Sequence, residues 1–239
     1  MLLKAAINGR RSQSEHPATP IDPSQQGREA ALAVAAGAGA IHVHPRNAAG
    51  QESLFSGDLA GTLVAIRAAC PNIPVGVSTG AWMVPDPEAR RALIEAWEVL
   101  PDFASVNFHE AGALKIFQVL AEKGIGVEAG VWNGGAAKIL RQSGVASECL
   151  RILIEPGQEP GSPQQRLEEI EAVLEGVQCS RLLHGFESNA WELIALASKR
   201  GYDTRVGLED ILTLPDGKRA RDNADLVSAA ALIIARSND

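Results

Sequence analysis

The sequence is poor in aromatic residues and in positive charge. Aromatic side chains make up only 4% of the 239 residues, while alanine, glycine, valine, leucine and isoleucine dominate. Such a composition is typical of parallel sheets, whose strands are covered on both faces. The net charge is −7, and no basic stripe is present, so the chain would repel phosphate backbones. We therefore expect no nucleic-acid partner.

Cysteines and long apolar runs are also scarce. Cys70, Cys149 and Cys179 are widely spaced and form no C-x-x-C pair, which predicts reduced thiols in a cytoplasmic protein. The opening segment MLLKAAINGRR lacks the apolar run and charged leader of a signal peptide. No run approaches the ~20 apolar residues that cross a bilayer, so we expect no membrane partner.

Short apolar runs alternate with longer helical patterns along the whole chain. This alternation predicts βαβ units and a parallel sheet, and eight units favour a single-domain (β/α)8 TIM barrel over residues 1–239. Asp58 is the predicted N-cap of the second helix. The irregular stretches 9–22 and 44–57 follow strands, which places them on the catalytic face of a barrel. The predicted strands are 2–8, 40–45, 74–79, 103–108, 126–131, 150–155, 181–186 and 203–209, and the predicted helices are 23–37, 58–70, 86–99, 111–123, 134–142, 162–175, 188–200 and 223–236.

A pair of histidines in the second predicted strand is the first candidate for chemistry. His42 and His44 are two residues apart, so both imidazoles point to the same face of the strand. Converging imidazoles suit zinc and other first-row ions, and two hydrogen-bonded structural histidines are the alternative. Glu209 ends the last predicted strand, which lies close to the second in a closed barrel. Because a catalytic zinc takes three protein ligands and one open position, these three residues are its predicted ligands.

Two carboxylates and an arginine follow one another near the end of the chain. Adjacent residues of a regular strand face opposite ways, so Glu209 would bind metal and Asp210 would serve as general base. Arg205 lies four residues before Glu209 and could orient a carboxylate by paired hydrogen bonds. A helix N-cap region is the alternative interpretation of the two carboxylates, and spacing alone does not decide between them.

Polar residues end the third and fourth predicted strands. Ser78 and Thr79 precede Gly80, and Ser105 and Asn107 lie on the fourth strand. Both pairs could bind a substrate oxygen at the barrel mouth, although spacing alone favours ordinary strand-end polarity. Trp82, Trp132 and Trp191 also lie near strand ends and could wall the pocket, although core packing is the favoured interpretation of each.

Four segments together resemble the β-keto acid cleavage enzymes, of which 3-keto-5-aminohexanoate cleavage enzyme is the best-known type. The segments are AIHVHPR after AAGAGA, VGVSTG, PDFASVNF and RVGLED, so the likeness runs from the first strand to the last. Members of that family are (β/α)8 barrels, usually homotetramers, that bind zinc. They condense a β-keto acid with acetyl-CoA, giving acetoacetate and a new CoA thioester. The resemblance therefore implies Zn²⁺, these two substrates, and a homo-oligomer, either tetramer or dimer.

The resemblance also implies a role for individual residues. Zinc would polarise the β-keto oxygen during retro-Claisen cleavage of a C–C bond. By this likeness the zinc ligands would be His42, His44 and Glu209, the base Asp210, its supporting arginine Arg205, and the hydroxyl residues Ser78 and Ser105.

Three departures from the family pattern indicate a changed substrate. Arg10 and Arg11 follow Gly9 where a glutamate is expected, Gly130 stands where a second acidic residue is expected, and Ser188 replaces an arginine that would anchor a carboxylate. Metal ligands are kept while substrate contacts change, which fits an anion held by Arg10 or Arg11. A metal-dependent hydrolase or aldolase acting on a different small anion is one alternative, and a non-catalytic barrel with a relic metal is another.

Overall fold

Eight parallel strands close into one barrel, and a helix follows each strand. The computed structural model describes residues 1–157 and 162–237. Each strand pairs with the next in chain order and β1 pairs with β8, so the predicted (β/α)8 barrel is confirmed. The strands are Leu3–Ala6 (β1), Ala40–Val43 (β2), Val75–Ser78 (β3), Phe103–Asn107 (β4), Gly126–Val131 (β5), Arg151–Ile154 (β6), Arg181–Leu183 (β7) and Asp203–Val206 (β8). The helices are Pro23–Ala35 (α1), Ser56–Ala69 (α2), Pro87–Glu95 (α3), Ala113–Glu122 (α4), Gly134–Ser143 (α5), Pro163–Val173 (α6), Ala190–Arg200 (α7) and Asn223–Ser237 (α8).

Local sequence explains where several helices begin. The side chains of Asp22, Asp86, Asn133 and Ser162 each accept a hydrogen bond from the backbone N–H three residues on. These caps satisfy amides that the first turn of a helix leaves unpaired. The predicted cap Asp58 is wrong, because α2 begins earlier and the Asp58 carboxylate accepts from the hydroxyl of a loop serine. Within the described ranges, no helix combines the length with the apolar character that crossing a lipid bilayer requires.

The last strand is shorter than the sequence predicts. It ends at Val206, and the chain then turns closely against β1 at Gly207. A Cβ on Gly207 would lie 1.9 Å from the carbonyl oxygen of Ala6, so only glycine permits this approach. Glu209 and Asp210 consequently lie in the turn after β8. Adjacent side chains need not face opposite ways in a turn, as they do in a strand.

An ion pair crosses the interior of the barrel one layer below the second-strand histidines. Lys4 Nζ on β1 lies 2.5 Å from Glu128 Oε2 on the opposite strand β5, and both side chains are fully buried. Glu128 Oε1 lies 3.3 Å from Arg151 Nε, and Arg151 also pairs with Asp203 at 2.8 Å. Burial lowers the pKa of Lys4, and the charge of Glu128 opposes that effect. Paired charges therefore fill the barrel beneath its mouth.

Candidate active site and metal centre

A cavity of about 670 Å³ opens at the carboxyl ends of the strands. Its size suits a small metabolite or part of a larger cofactor. Every strand, or the loop that follows it, contributes to the wall, so residues far apart in sequence meet here. The lining comprises Arg10, Arg11 and Glu15 after β1, His42 and His44, Ser78 and Trp82, Ser105 and Asn107, Trp132, Leu153, Glu155 and Gly157, Phe186, and Arg205 and Glu209.

The three predicted metal ligands converge on one side of this cavity. His42 Nε2 and His44 Nε2 lie 3.2 Å apart. Glu209 Oε2 lies 3.7 Å from the first nitrogen and 3.6 Å from the second. A tetrahedral zinc with ligands at ~2.1 Å has edges of roughly 3.4 Å, so the triangle has the dimensions of one face of such a site.

The chemistry of these atoms also fits a divalent cation. Glu209 Oε2 is buried and has no hydrogen-bond partner, although it points at two imidazole nitrogens. Burial lowers the pKa of His42 well below its usual range, which leaves a neutral imidazole able to bind metal. Burial opposes ionisation of Glu209, but the charge of Arg205 outweighs it and holds its pKa below the usual range. The triad thus supplies two imidazole nitrogens and one carboxylate.

Glu52 supports this centre and was not predicted. Its Oε1 lies 2.5 Å from His44 Nδ1, so the other ring nitrogen of His44 faces Glu209. A carboxylate behind a histidine ligand fixes the ring and raises its basicity. Trp82 Nε1 donates to both oxygens of Glu52 and holds the carboxylate in place. The turn that returns Glu52 to the centre is closed by an antiparallel bridge between Arg46 and Glu52.

Arg205 joins the metal centre to a second buried carboxylate. One of its terminal nitrogens lies 2.9 Å from Glu209 Oε1 and 2.7 Å from Asp210 Oδ1. The two carboxylates therefore share one cation, contrary to the expectation that they face different points. Burial raises the pKa of Asp210, and Arg205 opposes that rise. Asp210 is 1% exposed and lies against Arg205, which lines the cavity, and its Oδ2 has no hydrogen-bond partner.

The predicted polar residues of β3 and β4 divide into two groups. Ser78, Ser105 and Asn107 line the cavity, and Asn107 Nδ2 also donates to Glu110. Thr79 does not reach the cavity, because its hydroxyl donates to the carbonyl of Ser105 at 2.7 Å. Three of these four residues therefore face the cavity.

The two predicted cationic residues after β1 have different surroundings. Arg11 pairs with Glu15 at 3.1 Å and with Glu187. Arg10 lies over the ring of Trp82 at 5.8 Å. Trp82 is 37% exposed and Trp132 also lines the cavity, so core packing was the wrong interpretation of both.

Comparison with known proteins assigns this chain to a family. A family model described as beta-keto acid cleavage enzyme matches residues 1–239. The chain belongs to the β-keto acid cleavage enzyme family. A 3-keto-5-aminohexanoate cleavage enzyme from Fusobacterium nucleatum subsp. nucleatum is 27% identical over 245 residues, covering 95% of this chain and 88% of the relative. The predicted family is confirmed, and the chain is an enzyme that acts on β-keto acids.

Solved structures share the fold. ObcA, in a ternary complex with a C4-CoA adduct and oxalate, superposes with a TM-score of 0.70 at 18% identity. The match covers 93% of this chain but only 65% of the ObcA chain. The 3-dehydroquinate dehydratase from Aquifex aeolicus VF5 superposes with a TM-score of 0.60 at 11% identity, covering 99% and 98% of the two chains. At these identities the likeness shows the barrel alone.

In this β-keto acid cleavage enzyme, Glu155 occupies the space beside Gly130 on the neighbouring strand. A Cβ on Gly130 would lie 2.5 Å from Asn107 Oδ1 and 3.3 Å from Glu155 Oε1. Glu155 Oε2 lies 3.4 Å from Nε2 of the fully buried His184, whose Nδ1 accepts from Arg205 Nε at 3.2 Å. The acidic residue expected on β5 is therefore absent, and β6 places a carboxylate in the same part of the wall. Ser188, in contrast, is exposed and does not line the cavity.

Proposed function

We propose that the chain transfers an acetyl group from acetyl-CoA to a β-keto acid and cleaves the product, giving acetoacetate and a new CoA thioester. The observation that carries this proposal is the triangle of His42, His44 and Glu209 beside the Arg205–Asp210 pair. Membership in the family supports the reaction class. The resemblance also supports a homo-oligomer.

The three converging side chains would hold the metal, which we propose to be zinc. Two imidazoles and one carboxylate form a donor set used by catalytic zinc sites, which leave a further position open to substrate. When bound, the cation would polarise the keto oxygen so that negative charge can develop there. Glu52 and Arg205 keep His44 and Glu209 aimed at the same point.

Asp210 would move the proton in this reaction. The carboxylate takes a proton from C2 of the β-keto acid, and C2 then attacks the acetyl carbon and releases CoA thiolate. The thiolate attacks C3, the C2–C3 bond breaks, and Asp210 returns the proton to C2 of the departing acetoacetate. Its unpaired Oδ2 supports this role, since the other oxygen is already held by Arg205.

Hydroxyl and amide groups on β3 and β4 would orient the substrate. Ser78, Ser105 and Asn107 line the cavity and can donate hydrogen bonds to carboxylate or keto oxygens. A held substrate loses less freedom on reaching the transition state, so these contacts would lower the barrier without taking part in proton transfer.

Two variants separate metal binding from proton transfer. Glu209→Ala should lose the metal, measured by elemental analysis, and with it the conversion of 3-oxohexanoate and acetyl-CoA to acetoacetate and butyryl-CoA. Asp210→Asn should keep the metal while turnover falls on the order of 10²–10⁴-fold, the usual worth of general acid–base catalysis.

Two results would contradict this assignment. Retained metal and turnover in Glu209→Ala would remove Glu209 from the ligand set, and loss of metal in Asp210→Asn would exclude a purely proton-transfer role. Turnover of β-keto acids without acetyl-CoA would point to a hydrolase or an aldolase instead.

A further inference from the structure

The loop after β1 holds the backbone of Arg10 next to the candidate metal centre. The preceding residue, Gly9, has φ +52°, and a Cβ there would lie 2.3 Å from Cγ of Glu209. The loop therefore passes directly over a metal ligand. Arg46 donates hydrogen bonds to the carbonyls of Gly9 and Arg11, so the backbone is held on both sides of Arg10.

The side chain of Arg10 reaches the opposite edge of the same centre. Its guanidinium lies 5.8 Å from the Trp82 ring, and that ring stacks on His44 with centroids 6.1 Å apart and planes at 20°. Trp82 is itself held by Glu52, which supports His44. Arg10 thus extends from the Glu209 side of the centre to the His44 side, on a platform that is tied to the metal ligands.

The charge of Arg10 is not neutralised within the part of the chain that the structure describes. Arg11, its neighbour, forms ion pairs with Glu15 and Glu187. Arg205, the other cation of the wall, forms ion pairs with Glu209 and Asp210. In residues 1–157 and 162–237, the interaction found for Arg10 is its contact with Trp82, which leaves its N–H groups available to a ligand.

We infer that Arg10 binds a second carboxylate of the substrate, so that the enzyme acts on β-keto dicarboxylic acids. The inference rests on the proposed function and extends it to the far end of the substrate. A guanidinium binds carboxylate through two parallel hydrogen bonds, which a substrate ending in a methyl or ammonium group does not accept.

The test compares 3-oxoadipate with 3-oxohexanoate, which has the same length but ends in a methyl group. With acetyl-CoA, the wild-type enzyme should favour 3-oxoadipate in kcat/KM. Arg10→Gln should reduce that preference about 10- to 100-fold, because a charge-assisted hydrogen bond is lost. Arg10→Lys should retain part of it. Arg28→Gln, an exposed arginine on α1, should leave the preference unchanged.

A binding measurement keeps this inference separate from the proposed reaction. Calorimetry on the metal-loaded protein should show adipate binding more tightly than hexanoate, with the difference abolished in Arg10→Gln. If neither keto acid is cleaved but adipate binding depends on Arg10, the proposed function fails and the carboxylate site stands. If 3-oxohexanoate and 3-oxoadipate are cleaved with equal kcat/KM, the proposed function stands and the carboxylate site fails.

Three other outcomes would also overturn the inference. An equal loss for both keto acids in Arg10→Gln would mean that Arg10 holds the carboxylate they share. A raised KM for acetyl-CoA with unchanged preference would mean that Arg10 binds a phosphate of the coenzyme. Loss of the preference in Arg11→Gln, with Arg10→Gln unaffected, would assign the site to the wrong arginine.

Discussion

Two groups of largely buried charge lie within the same ring of strands, and they differ in which partners their carboxylates face. In the lower group, both oxygens of Glu128 face cations, Lys4 at 2.5 Å and Arg151 at 3.3 Å, although Glu128 Oε1 and Arg151 Nε do not form a hydrogen bond. In the upper group, Glu209 Oε2 and Asp210 Oδ2 are buried without a hydrogen-bond partner. The lower group is Lys4, Glu128, Arg151 and Asp203, and the upper group is His42, His44, Arg205, Glu209 and Asp210.

The difference separates a structural network from a functional one. Buried carboxylate oxygens normally face a cation or a hydrogen-bond donor, so Glu209 Oε2, which faces two imidazole nitrogens and forms no hydrogen bond, indicates a site for a bound cation. The lower group needs nothing further, since its charges neutralise one another. Variants of the lower group should therefore affect stability, and variants of the upper group should affect metal binding and turnover.

Lys4→Ala should have the largest effect on stability. It leaves Glu128 buried without its nearest cation, and breaking a buried pair from one side costs about 3–5 kcal/mol. The free energy of unfolding, measured by urea titration, should fall by this amount, while metal content is unchanged. The double variant Lys4→Met with Glu128→Leu should recover most of the loss, because no unpaired charge remains. A Lys4→Ala protein of wild-type stability that has lost its metal would contradict the separation.

Glu52→Gln should have the next largest effect. It should weaken metal binding without changing the stability of the metal-free protein. Replacing the carboxylate behind His44 removes the charge that orients the ring, and such changes cost about 10- to 100-fold in metal affinity. Competition with a chelator measures the affinity directly, and urea titration of the metal-free protein serves as the control. Unchanged affinity would show that Glu52 only anchors Trp82.

The fold and the two histidines of the candidate metal site could be predicted because they depend on local periodicity. Alternation along residues 40–44 places both imidazoles on one face, and the alternation of strands and helices sets the barrel. The position of Glu209 was predicted for a partly wrong reason. The strand ends at Val206, and the close approach of Gly207 to Ala6, which no periodicity reveals, delivers the carboxylate to the histidines.

The supporting residues could not be predicted because they depend on contacts between strands and loops. The chain turns at Asn47–Gly50, and this turn brings Glu52 back to His44. The asparagine and the glycine of this segment are the sequence signal for the turn. Glu155 ends the sixth predicted strand, where spacing alone does not distinguish it from the other acidic residues at strand ends. Its proximity to Gly130 follows from the pairing of β5 with β6, which brings an empty position and a carboxylate together.

Glu155→Gln should have the smallest effect of these variants. In the described part of the chain, Glu155 forms an ion pair with His184, and His184 connects it to Arg205 of the upper group. Its carboxylate faces His184, which in turn accepts from Arg205, so the substitution should loosen Arg205 without removing it. Burial opposes ionisation of Glu155, yet His184 holds its pKa below the usual range, so the residue acts as an anion. We expect kcat/KM to fall about tenfold, in keeping with one charge-assisted contact, while metal content and stability stay near the wild type. Glu155→Asp should restore part of the rate. If Glu155→Gln instead lowers stability and leaves kcat/KM intact, Glu155 belongs with the structural charges below it.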